Sequence, residues 1–128
     1  MKIVKILVLC IFGWFFLAAK PNLTGFRPEQ VCQAGIASMA SVAPKQVSIY
    51  RSQAPLWQLR LSKHGQTQSY YCQLQADEIL WRRAEDSLWQ DSPKLRFQSN
   101  SSSRQLIITH YLGQARLAEH NFRGEDFL

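Results

Sequence analysis

The sequence predicts an α+β domain: one N-terminal helix packed on an antiparallel β-meander of about six to seven strands, with a disulfide between helix and sheet. Three observations carry this expectation. Residues 28–43 place apolar side chains at helical spacing, residues from 46 onward alternate apolar and polar in short runs separated by turn residues, and one cysteine falls in each region.

The helix begins at Pro28, whose ring presets the first turn and whose missing N–H would have no partner there. Glu29 lies near the positive end of the helix dipole. Cys32, Ile36, Met39 and Ala43 form an apolar stripe, and the small residues Ala34, Gly35, Ala37 and Ala40 allow close approach to a sheet. Pro44 ends the pattern.

Residues 46–51 supply a first short strand, with Val47 and Ile49 on one side. Trp57, Leu59 and Leu61 then alternate with Gln58, Arg60 and Ser62, as a half-buried strand requires. Tyr70, Cys72 and Leu74 repeat the pattern, with Tyr71 facing outward, and residues 79–82 return beside them. The gaps hold His64 with Gly65 and Ala76 with Asp77, each a two-residue turn. These turns pair Lys63 with Gln66 and Gln75 with Glu78. Trp57, Cys72 and Trp81 then fall in one row on the inner face, and a one-residue slip in either turn would destroy it.

Residues 82–93 read as a long polar connection interrupted by Leu88 and Trp89. Residues 94–98 alternate around Leu95 and Phe97, and residues 104–112 give the strongest strand pattern. A turn at Leu112 and Gly113 leads into residues 114–122. It would set Ile108 opposite Leu117 and Thr109 opposite Arg116, with His110 facing Ala115 and His120 facing Gln105.

The domain occupies residues 28–122, preceded by a linker at 20–27 and followed by a polar tail at 123–128. Residues 1–19 read as a signal peptide: Lys2 and Lys5 are basic, residues 6–17 are apolar, and Ala18 and Ala19 are small. The apolar run is shorter than the roughly 20 residues of a spanning helix, so cleavage is expected, with an uncleaved anchor as the alternative. After cleavage, Cys32 and Cys72 remain as one pair in an exported chain, which reads as a disulfide. The expected location is periplasmic or secreted, or anchored to the inner membrane facing the periplasm if the segment stays.

The net charge of +6 becomes +4 when Lys2 and Lys5 leave with the signal, and the remaining cations are interspersed with Asp and Glu. A nucleic-acid partner is not expected without a dense basic stripe. A membrane is expected as a partner only if the N-terminal segment is uncleaved.

Several features occur in a fixed order: Val31 and Cys32 opening a small-residue helix that runs to Met39, Tyr71 and Cys72 in a strand, Ile79 to Trp81, and Trp89 ahead of Pro93. In this the chain resembles a group of small bacterial envelope proteins, in which a signal or anchor precedes a helix-plus-meander domain carrying the same helix cysteine and strand cysteine. The resemblance covers residues 31–111 and implies fold and compartment, not an activity. The chain departs from it at residues 84–88, where members tend to carry a Gly-rich basic segment.

No nucleophile, metal-binding or phosphate-cradling motif stands out, so no catalytic residue, metal or cofactor is expected. In the expected register His110 and His120 are not neighbours, and Asp77, Glu78, Glu85, Asp86 and Asp91 belong to turns and loops. The candidate binding residues are Trp89, Tyr71, Arg82, Arg83, Lys94 and Arg96, because exposed aromatics and arginines together make interface hot spots. Trp89 either joins that surface or folds back as a plug over an open end of the sheet. The expected function is a non-enzymatic periplasmic binding module for a protein partner, such as an inhibitor or immunity protein against an envelope-acting enzyme. The alternative is a membrane-tethered structural or assembly factor of the envelope.

Overall fold

A computed structural model describes residues 25–53, 55–100 and 102–128. The expected signal segment at 1–19 lies outside the described residues. Helix α1 spans Pro28–Ala40. At its start the Gln30 side-chain oxygen accepts the Arg27 backbone N–H at 3.0 Å, satisfying a donor that no helix carbonyl reaches. It ends short of residue 43 because Ser41 takes a left-handed conformation (φ 57°), turning its N–H back to the Ala37 carbonyl. Ala43 is extended (φ −71°, ψ 146°), as a residue ahead of proline must be.

Seven strands follow, each antiparallel to the next in sequence order: β1 (Val47–Gln53), β2 (Leu56–Lys63), β3 (Gln66–Gln75), β4 (Glu78–Arg83), β5 (Gln90–Asn100), β6 (Gln105–Leu112) and β7 (Ala115–Arg123). The β2–β3 and β3–β4 hairpins have the register that the turns dictate: Lys63 pairs with Gln66, Trp57 with Cys72, Gln75 with Glu78 and Cys72 with Trp81. The row Trp57, Cys72, Trp81 lies beneath α1, and Cys72 is bonded to Cys32 across a Cα–Cα distance of 6.0 Å. The disulfide thus joins the first turns of the helix to the middle of the sheet.

The sheet curls around the helix. Helix α1 contacts β1 to β4 and β6, and the short 3-10 turns that precede β1 (Pro44–Gln46) and follow β7 (Gly124–Phe127) touch each other. Val31, Ala34, Gly35, Ala37 and Ser38 are therefore buried beside the expected Cys32 and Ile36. A Cβ on Gly35 would come within 3.0 Å of the Ile79 side chain, so the small residue sets the helix–sheet distance. Leu59, Leu61, Ile79, Leu95, Leu106 and Ile108 complete the core from the sheet side.

Four details differ from the sequence reading. In β1 the register shifts between Ile49 and Arg51, leaving Tyr50 on the outer face. Strand β5 begins at Gln90, inside the expected loop: Trp81 pairs with Gln90 but Ile79 with Leu95, so residues 91–94 bulge, and the Trp81 indole N–H donates to the Pro93 carbonyl at 3.0 Å. The last hairpin turns at Gly113 (φ 62°) and Gln114, pairing Leu112 with Ala115, and a register shift between His110 and Tyr111 follows. Ile108 therefore faces His120 and Thr109 faces Glu119; the slip is odd, so β7 shows the opposite face, with Leu117 outward and 57% exposed. Lastly, Phe26 and Phe127 lie at what read as linker and tail, yet their rings pack edge to face at 6.0 Å against the end of the core.

Candidate binding surface

With α1 on one face of the sheet, the side chains at alternate positions point to the other. Tyr71 and Arg82 are direct cross-strand partners there. The Arg82 guanidinium carbon lies 4.5 Å from the Tyr71 ring centroid and 5.3 Å from that of Trp89. Arg82 also donates to the Asp86 backbone carbonyl, which ties the β4–β5 loop to the same cation. Trp89 is 37% exposed and rests against this outer face, so of the two alternatives it joins the surface and does not plug an end of the sheet.

The pairing of an arginine with an aromatic ring recurs on this face. Arg60 stands 3.7 Å over the exposed Tyr50 ring, and Arg96 lies 5.9 Å from Tyr111. A guanidinium held over a ring face can still offer N–H donors to a carboxylate, while the ring supplies apolar area. Among the described residues neither Arg60 nor Arg82 has a carboxylate partner.

The remaining candidates divide. Lys94 and Arg96 share the outer face but are paired, with Glu78 at 3.7 Å and Asp77 at 3.2 Å. Arg83 departs from the expected grouping: it pairs with Tyr70, one position out of phase with Arg82, and so projects to the helix side. There it lines a cleft with Met39, Ala40, Tyr70 and Trp81, and its Nε lies 3.2 Å from the Asp86 carboxylate. Strand alternation alone would have separated the two arginines. Burial pushes the Tyr70 phenol above its ordinary value, with the Arg83 charge acting against it. Glu85 accepts from the Gln68 amide at 3.0 Å, which holds its carboxyl below the ordinary range.

One polar cluster on the inner face was not anticipated. Ser38 and His110 are 4% and 8% exposed, and Ser38 Oγ lies 2.8 Å from His110 Nε2. The His120 ring is 5.0 Å away, centroid to centroid, because the shifted last hairpin turns it inward. Ser38 Oγ is also 2.7 Å from the Gly35 carbonyl, which can only accept, so the hydroxyl proton belongs there and the imidazole N–H donates to the serine. A serine poised for attack would donate to the histidine instead. The pair as arranged is a clamp between α1 and β6. The sequence did hold a signal for it: Ser38 follows Val31, Ala34 and Gly35 at the i, i+3, i+4, i+7 spacing of one buried stripe, where a hydroxyl needs a partner.

Among the described residues no group of three or more potential metal ligands occurs, and no helix is long and apolar enough to cross a membrane. Comparisons with protein-family models, with curated proteins and with solved structures find no match for this chain. The formed disulfide suits an oxidising, extracytoplasmic compartment.

Proposed function

We propose that this chain is a non-enzymatic binding module of the bacterial envelope, periplasmic or secreted, that engages a partner protein through the outer face of its sheet. The observation that carries the reading is the stack of Tyr71, Arg82 and Trp89, built on two neighbouring strands and the loop that follows them. Aromatic and arginine side chains held in place by a rigid sheet lose little freedom on binding, which favours affinity. Arg60 and Arg82 fit a partner surface that carries carboxylates beside apolar area. An inhibitor or immunity protein acting on an envelope enzyme is the specific role that a small, rigid, disulfide-joined domain suits.

Crosslinking and capture of the full chain from its own envelope tests this, with Trp89→Ala alongside. A single stoichiometric partner, lost from the Trp89→Ala sample, is the expected result. Equal recovery by both chains, or no specific partner with either, would contradict it.

The apolar run at residues 6–17 favours a second reading, a membrane-tethered structural or assembly factor that keeps its N-terminal segment. The intact mass of the mature protein separates the two, since loss of residues 1–19 excludes the tether.

A further inference from the structure

We infer that α1 is held to the sheet by two clamps of different chemistry, and that mild acid opens one of them: the Ser38–His110 contact releases the C-terminal half of the helix while the Cys32–Cys72 disulfide retains the N-terminal half. Ser38 donates to the Gly35 carbonyl and receives the Nε2 proton of His110, so a neutral imidazole keeps its remaining nitrogen, Nδ1, unprotonated. A second proton would go onto Nδ1, for which no described residue supplies an acceptor.

The surroundings do not compensate the charge. Across from His110 stand Leu95 on β5 and Ala118 on β7. The titratable group facing it is His120, itself a source of positive charge. Lys94 and Arg96 on β5 and Glu119 on β7 lie at alternate positions and point to the outer face, and α1 contributes the uncharged Ser38. Burial, and then His120, hold the His110 imidazole below its ordinary range. The closed state therefore keeps His110 neutral, and opening takes up a proton. Its contribution to closure is complete above the ordinary histidine value of about 6.5 and declines as pH falls below that.

Release at this clamp acts on a defined place. Met39 and Ala40, the last residues of α1, line a cleft of about 390 Å³ with Tyr70, Trp81, Arg83 and Pro93. Besides Ser38, a Lys63 ammonium donating to the Ala40 carbonyl at 2.8 Å, at the exposed surface, ties this end. Acid thus widens the cleft, and the disulfide keeps the change local.

Amide hydrogen exchange on the oxidised full chain, corrected for intrinsic rates and followed from about pH 8 to 5, tests the inference. The opening constant of residues 36–40 should rise as pH falls below about 6.5, with a slope bounded by the one-proton limit of about tenfold per pH unit, while residues 31–34 change little. His110→Gln keeps a donor for Ser38 without a titrating ring and should abolish the slope. Should that variant not fold, the wild-type contrast between the two halves of the helix decides alone. A pH-independent opening, an equal slope in both halves, or an unchanged slope in His110→Gln would overturn the inference.

Discussion

The Ser38–His110 contact joins elements far apart in sequence through two atoms, both on buried side chains. Ser38→Ala would strand the imidazole N–H in a buried site, at a cost of about 1–3 kcal/mol, because an unmade buried hydrogen bond forfeits the full desolvation of its donor. Denaturant unfolding at neutral pH would read this as a lower midpoint with an unchanged slope. A midpoint equal to that of the parent would show that the donor finds another partner. On the outer face, the stacking of Arg82 with Tyr71 and Trp89 is worth about 0.5–2 kcal/mol, modest for stability and of more consequence as the geometry it fixes for a ligand.

Element by element, the chain shows where alternation is sufficient and where it is not. The β2–β3 and β3–β4 hairpins were legible because their two-residue turns and their apolar alternation agree, so the Trp57, Cys72, Trp81 row followed from counting. The β6–β7 hairpin was not legible, since a bulge has no residue signature here and Leu117 looks like a core residue. Of the site, the outward Tyr71 could be read from its strand, whereas the side Trp89 takes depends on a loop whose path is set by Arg82 and Asp86. Arg83 was misplaced by reading proximity in sequence as proximity in space. A direct check of the corrected hairpin is available: Leu117→Gln should change stability by no more than about 0.5 kcal/mol, while Phe122→Ala should cost about 3–5 kcal/mol as a buried aromatic truncation. Thermal unfolding of the two variants decides it, and the opposite ranking would restore the unbulged register.

For the whole molecule, one helix within a curled seven-stranded sheet is a small core, and the disulfide bridging residues 40 apart matters accordingly. Closing a loop of that length removes unfolded-state freedom equivalent to about 4 kcal/mol, so the Cys32→Ser, Cys72→Ser double variant should lose stability of that order in urea unfolding. A loss well under about 1 kcal/mol would mean that the core alone fixes the helix. Stability should also fall below about pH 6.5, because the unfolded chain takes up a proton that His110 resists in the fold. The functional claim concerns which of the two faces works. Arg82 and Arg83 are adjacent in sequence, alike in chemistry and opposite in direction, one in the outer stack and one at the inner cleft. Quantitative crosslink capture with Arg82→Gln and Arg83→Gln is therefore the measurement to make. Arg82→Gln should lose the partner and Arg83→Gln should retain it; loss with Arg83→Gln and retention with Arg82→Gln would move the binding site to the other side of the sheet.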